Sequence, residues 1–394
     1  MTVTIAARTA QKFLSVLPHV CGYVPRRSLV VVPVSDGLTA GVARLDLPRD
    51  KAAWAEVAAT ALGIVCRLRD VTRFTAVVYT DEPLRDEDGV ALGGFIDYLR
   101  ERAGHCGLEI VDALCVAADG WGSYLAGVLP EHGRPLDEIA FEGALPPGVA
   151  PSPVAADQGE GTDLPVVDLA EKERVGRALR DLERACEAIA EDSRAGGSGE
   201  VASRVPDAER RGLDGIAGIP ARALATACLL GRLPAVFEES LEEDPEDLDP
   251  SLAAALVWAL GRPHFRDVAL SQWSLDLDEG HATLAFNERW AAGDRAEPEG
   301  PVRLMGEGPR PDAERLERAL ALVRRLAAAA PRDARVGPLA AAGWLSWALG
   351  RATHAAQYVA RAAEIDPEHG LAGIIGSMLE AGYLPPWAFE RPAA

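Results

Sequence analysis

Short, uninterrupted apolar runs separated by stretches of helical spacing constrain the first third of this chain more than any other feature. SLVVVPV at 28–34, FTAVVYT at 74–80 and LEIVDALCVAA at 108–118 are rich in β-branched residues and bounded by turn formers. Such runs read as strands covered on both faces. Between them, Trp54, Val57, Ala58, Ala61, Val65 and Leu68 recur at helical spacing. Leu92, Phe95, Ile96 and Leu99 do the same in a helix expected over 88–103, and Ala10, Phe13, Leu14 and Leu17 form a helical face ahead of the first strand. Strands joined through helices pair in parallel, whereas Ser35-Asp36-Gly37 before LTAGVARLDL and Asp119-Gly120 before WGSYLAG read as hairpins. The expectation is an α/β domain with a mixed sheet over residues 1–142, in two or three layers. Pro33 has no N–H to give a ladder, so its strand is expected to lie at an edge there or to have ended.

The pattern then changes. GALPPGVAPSPVAADQGEGTDLP, 143–165, reads as a Pro/Gly-rich linker or surface loop. Over 166–206, Val175, Leu179, Leu182, Cys186 and Ile189 mark one amphipathic helix, followed by a flexible segment around AEDSRAGGSGEVAS. Two heptads are too few for a coiled coil, so this helix is expected to pack on a domain. From 207 to 394 the spacing is helical throughout, as in ALATACLLGRL, SLAAALVWALGR and the face formed by Leu316, Ala319, Leu320, Val323, Leu326 and Ala327. An all-α C-terminal domain follows from it.

A net charge of −20 sets the whole-molecule field against nucleic acid and anionic membranes, so neither is an expected partner. Lysine stands only at positions 12, 51 and 172, and the arginine bias matches the alanine, glycine and proline content of a GC-rich genome. The cysteines at 21, 66, 106, 115, 186 and 228 form no C-x-x-C pair and are too sparse for a disulfide framework. With no basic leader and no apolar run long enough for a membrane span, the chain is expected in the reducing cytoplasm.

The motifs with chemical meaning each have a plainer reading. Gly22-Tyr23-Val24-Pro25-Arg26-Arg27-Ser28 joins a helix to a strand, the reverse of a phosphate loop, so it reads as a junction. Gly22 is placed to end the helix, Pro25 to stiffen the bend and Ser28 to bond locally. Gly212, Gly215 and Gly218 lead into a helix starting near Pro220 but follow no strand. Gly120-Trp121-Gly122-Ser123-Tyr124 has the wrong spacing for a nucleophile elbow. The pairs His19/Cys21 and His105/Cys106 and the acidic stretches 238–250 and 276–281 lack metal-ligand or calcium-loop spacing. No metal, no cofactor and no catalytic residue is assigned. Tyr23, Arg26, Arg27, Trp121, Ser123 and Tyr124 are the candidate lining of a pocket at the sheet ends.

Residues 341–372, with Gly343, Gly350, Ala355, Ala362 and the closing Ile365-Asp366-Pro367, resemble one tetratricopeptide unit, although Ser346 stands where that repeat usually has an aromatic. VWALGRPHFRDVAL is a fainter echo of it. One such hairpin, docked in the helical domain, is expected. LPHVCGYVPRRSLVVVPV, VARLDLP, the WGSY strand, the Phe265-Arg266-Asp267 stretch and the run from WALGR to DPEHGLA together resemble an actinobacterial family known as domain of unknown function 4192. The resemblance spans nearly the whole chain, least across 143–250. It implies a two-part α/β and helical protein of the cytosol and supplies no catalytic residues.

The leading functional expectation is a non-catalytic interaction or regulatory module, with a protein partner or a second copy as its target. The alternative is an enzyme or small-molecule sensor with a pocket at the sheet ends facing the helical domain. The aromatic stretch PPWAFE at 385–390 is expected to dock on its own chain.

Overall fold

The computed structural model describes residues 9–35, 38–39, 41–87, 89–126, 130, 132–140, 154–194, 218–295 and 300–389. The chain forms two compact units, Met1–Gly161 and Thr162–Ala394. Residues 143–153 of the stretch read as a linker, and all of 195–217, lie outside the described residues.

In the first unit, α1 (Ala10–Cys21) starts at Thr9, whose side chain caps the Lys12 N–H, and stops at Gly22. Gly22 adopts φ 80°, a left-handed conformation that lets its N–H return to the Pro18 carbonyl. The strands are β1 (Ser28–Ser35), β2 (Leu38–Thr39), β3 (Ala43–Asp46), β4 (Arg73–Tyr79), a two-residue pair β5 (Arg85–Asp86) and β6 (Gly89–Val90), β7 (Glu109–Val116) and β8 (Trp121–Ser123). Helix α2 (Trp54–Arg67) lies between β3 and β4, and α3 (Gly93–His105) between β6 and β7. The main sheet runs β2-β1-β4-β7-β8, with β3 also on β1. Only β4 and β7 are parallel, and both ends of the sheet are antiparallel, which makes it mixed as the hairpin signals required.

Strand alternation sorts the side chains into two cores. Leu29, Val31, Ala76, Val78, Ala113 and Cys115 meet α2 and α3 on one face. Val30, Val32, Val77, Tyr79, Leu114 and Trp121 meet Leu14 and Leu17 of α1 on the other. The unit therefore has three layers, and coverage of both faces explains why the strands read as unbroken apolar runs. The helix expected over 88–103 begins only at Gly93, because Arg85 to Val90 turn back as a small hairpin first. β1 does not end at Pro33. Its β4 side is paired from Ser28 to Val34, while the opposite ladder ends at the pair Val31–Ala43 and resumes at Val34–Thr39. Pro33 sits in that gap, at a local edge.

The second unit is helical: α4 (Leu169–Arg194), α5 (Ala221–Leu229), α6 (Leu233–Ser240), α7 (Pro250–Leu260), α8 (Pro263–Ser274), α9 (Leu277–Ala291), α10 (Ala313–Ala329), α11 (Val336–Ala348), α12 (Ala352–Ala363) and α13 (Gly370–Glu380). Val175, Leu179 and Leu182 of α4 are buried, as the amphipathic spacing required. Every residue of α11 is buried, so it is the hub of the unit, and its sequence VGPLAAAGWLSWA carries almost no polar group that burial would strand. Helices α11 and α12 pack together as the helical hairpin expected near the C-terminus.

The C-terminal aromatic stretch docks on this unit. Trp387 is only 2% exposed and packs against Trp344 and Trp347. Its backbone N–H donates to the Gly306 carbonyl at 3.0 Å. The Arg303 guanidinium lies 4.9 Å from its ring and donates to the carbonyls of Ser274, Glu307 and Pro309.

Candidate functional site

The junction after α1 is held from the far side of its own unit. Gly22 and Val24 bond the backbone of Ala155 (Ala155 N–H to Gly22 carbonyl 3.0 Å, Val24 N–H to Ala155 carbonyl 3.0 Å). The Gln158 side-chain amide then grips both backbone groups of Arg26, each at 3.0 Å. Ser28 Oγ donates to the Arg26 carbonyl at 2.6 Å and accepts from Arg44 Nε at 2.7 Å. Arg27 adopts φ 46°, a left-handed conformation that costs a non-glycine residue on the order of 1 kcal/mol. The backbone of Arg26 is thus fully used, while both arginine side chains are exposed. Among the described residues neither guanidinium has an ion pair or hydrogen bond.

Above this junction lies a cleft of about 680 Å³. Tyr79, Thr80 and Asp81 enter it from the carboxyl end of β4, and Val116, Ala117 and Ala118 from the carboxyl end of β7. Leu14, Pro18 and His19 of α1 form the side wall, Leu136 and Ile139 close it, and Arg26 and Arg27 complete the rim. The place is the one where open α/β sheets hold ligands, outside the carboxyl ends of parallel strands. Burial pushes the Cys21 thiol up to about 11 and the Tyr23 phenol up to about 12, the latter helped by Cys21 and opposed by Arg44. Burial likewise raises the Tyr79 phenol, again reinforced by Cys21. Of these three only Tyr79 lines the cleft, whose rim carries the guanidinium groups of Arg26 and Arg27 and the carboxylate of Asp81.

The sequence-predicted lining residues do not all meet. Arg26 and Arg27 line the cleft. Tyr23 sits beneath the rim, half-buried, in a bridge to Ala155. Trp121 is buried in the core on the α1 face, with the Arg134 guanidinium 5.1 Å from its ring. Ser123 Oγ donates to Asp112 at 2.7 Å, and Tyr124, packed on the α2/α3 face, donates its hydroxyl to the Ala91 carbonyl at 2.6 Å. Thr80 and Asp81 are not among the predicted lining, and His19 reads only as half of a pair lacking metal-ligand spacing. The signal that would have found the first two is their position directly after a buried strand.

The helical unit holds a smaller cavity of about 410 Å³. Arg262 stacks over Trp258 at 3.6 Å and donates to its carbonyl at 2.8 Å, with Glu183, Asp333, Asp366 and His369 around it. Burial lowers Arg262 below its ordinary range, opposed by Glu183, and burial together with Arg266 lowers His369. Asp366 and His369 accept from the backbone N–H groups of Glu368 and Ala372, so both are engaged locally at helix ends. The acidic stretch 238–250 is tied into the unit too. Glu238 pairs with Arg315 at 2.5 Å, Glu242 with Arg318 at 2.8 Å, and Asp249 pairs with Arg222 while capping α7. In 276–281, Asp276 caps α9. Among the described residues no three histidine, cysteine or carboxylate side chains converge as a metal set, and no helix is long and apolar enough to cross a membrane.

A family model described as Domain of unknown function (DUF4192) matches residues 11–298 of the chain. The matched span includes the cleft residues up to Ala140 and stops short of the α11–α12 hairpin. No curated protein and no solved structure matches.

Proposed function

The chain belongs to the DUF4192 family, and on that premise we propose that it is a non-catalytic regulatory protein whose α/β unit senses an anionic small molecule. The observation that carries this reading is the pair of unengaged guanidinium groups, Arg26 and Arg27, on the rim of a 680 Å³ cleft at the carboxyl ends of β4 and β7. Guanidinium groups bind carboxylate and phosphate through paired, charge-assisted hydrogen bonds. The clamp of Gln158 on the Arg26 backbone holds one of them ready, which lowers the ordering cost of binding. A net charge of −20 opposes long-range attraction of anions, so selectivity rests on the local pair and on the cleft's shape. In this reading the helical unit, with its tetratricopeptide-like spacing, offers the surface for a cytoplasmic protein partner or a second copy.

The test is a thermal-shift screen of the full chain at low ionic strength. The probes are inorganic phosphate, pyrophosphate, nucleoside phosphates and di- and tricarboxylates, with hits measured by calorimetry. At least one probe is expected to stabilise the protein, and Arg26→Ala is expected to weaken it roughly 10–100-fold, the scale of one charged hydrogen-bonding pair. Arg27→Gly suits the left-handed backbone, so it removes the charge without unfolding the loop. No shift across the panel, or binding unchanged in the Arg26→Ala, Arg27→Gly double variant, overturns the proposal.

A further inference from the structure

The cleft of the α/β unit carries a third charge that a simple anion leaves unused. Asp81 is the second residue after β4, and the backbone around it is fixed from the neighbouring strand. The Thr80 N–H donates to the Val116 carbonyl at 2.9 Å, and the Ala118 N–H donates to the Glu82 carbonyl at 3.1 Å. Residues 80–82 are thus laced to the end of β7, and Thr80 Oγ accepts the Glu82 N–H at 3.2 Å within the same turn. The Asp81 side chain is exposed and lines the cleft. Among the described residues its carboxylate has no ion pair and no hydrogen bond. Arg26 and Arg27, equally unengaged, line the same cleft. Opposite charges therefore share one space without pairing, because the Gln158 clamp holds one side and the strand ends hold the other.

We infer that the cleft selects an aminated dianion: a small molecule with two negative charges, on carboxylates or on one phosphate, and one primary ammonium group. Arg26 and Arg27 hold its anionic end through charge-assisted hydrogen bonds, and Asp81 accepts from its ammonium. Two cations and one carboxylate on the rim are the charge complement of that molecule. Leu14, Tyr79, Val116 and Ile139 supply apolar lining, which lowers the local dielectric and strengthens each charged contact. A ligand without the amine leaves the Asp81 carboxylate unanswered, and that missing contact is what discriminates. The inference rests on the anion-sensing reading and narrows it to a ligand class.

Calorimetry on the full chain at low ionic strength compares pairs that differ only in the amine. The pairs are glutamate with glutarate, aspartate with succinate, and phosphoethanolamine with ethyl phosphate. In at least one pair the aminated member is expected to bind roughly 10–100-fold tighter, the scale of one charged hydrogen bond. A preference in the first two pairs assigns the anionic end to carboxylates, and in the third to phosphate. Asp81→Asn keeps the shape of an exposed side chain and is expected to abolish the preference. Glu82→Gln makes the same change of net charge one residue away and is expected to keep it. Equal binding within every pair, or a preference that survives Asp81→Asn, overturns this inference and leaves the anion reading standing. Binding by none of the six overturns it as well, and the wider anion panel then decides the reading beneath it separately.

Discussion

Replacing Trp387 with alanine tests whether the C-terminal aromatic stretch is part of the helical core. The indole is 2% exposed and touches two further tryptophans, with ring centroids 6.3 Å from Trp344 and 6.1 Å from Trp347. Truncating a buried tryptophan to alanine costs about 3–5 kcal/mol through lost apolar burial and the cavity left behind. Arg303 would lose the ring face it covers, though not its hydrogen bonds to the Ser274, Glu307 and Pro309 carbonyls. Acting the other way, the Trp387 indole N–H is buried without a partner, a burden of about 1 kcal/mol that the substitution removes. The net expectation is a loss of about 3 kcal/mol, or roughly 6–12 °C in melting temperature for a unit of this size. Trp387→Phe keeps most of the packing and drops the stranded N–H, so it should stay within about 1 kcal/mol of the parent. Urea titrations of the full chain, with hydrogen exchange on α11 to locate the effect, measure both. The reasoning fails if the alanine variant melts within a degree of the parent, or if phenylalanine is as damaging as alanine.

Gly337→Ala should cost about 3 kcal/mol despite the better helix propensity of alanine, because the new methyl would sit 2.4 Å from the Leu260 carbonyl oxygen, where only backbone could yield; a urea midpoint equal to the parent's would show that α7 and α11 separate freely. Arg315, hydrogen-bonded to Glu238, holds that carboxyl below the ordinary glutamate range, against the opposing effect of burial. A depressed carboxylate stabilises the fold fully above the unfolded-state value and loses that contribution as pH falls through its folded value. Stability of the helical unit should therefore decline below about pH 4.5, the ordinary glutamate value, and Glu238→Gln should flatten the decline. An unchanged acid slope in the variant would assign the loss to other groups.

Much of the architecture was legible because it rests on local periodicity. The β-branched runs at 28–34, 74–80 and 108–118 became β1, β4 and β7, and glycine at 22 ended α1 as its position implied. Where reading fell short, a tertiary contact had overridden the local signal. Pro33 read as an edge or the end of its strand, and only the ladders choose the edge: β4 pairs β1 past it and a gap in the opposite ladder absorbs the missing donor. Trp121 read as a pocket aromatic, but the strand alternation turns it into the core beside Leu114. Arg26 and Arg27 read as candidate pocket lining, and both stand on the rim of the larger cleft. Nothing near Arg303 announced a buried cation, since its acceptors come from residues 274, 307 and 309.

The sequence alone determined the division into a mixed α/β unit and a helical unit, the kinds of element, and most of their order. Those properties follow from side-chain spacing within a few residues and from turn chemistry, which act before distant segments meet. Tertiary structure alone decided which charges stay unengaged and which residues share a surface. Gln158 reaches back to Arg26, and β4 and β7 bring Asp81 and Ala118 to one crevice. Each of those meetings joins residues far apart in sequence, 132 positions apart for Gln158 and Arg26. Its geometry depends on the packing of everything between, and no local pattern records it.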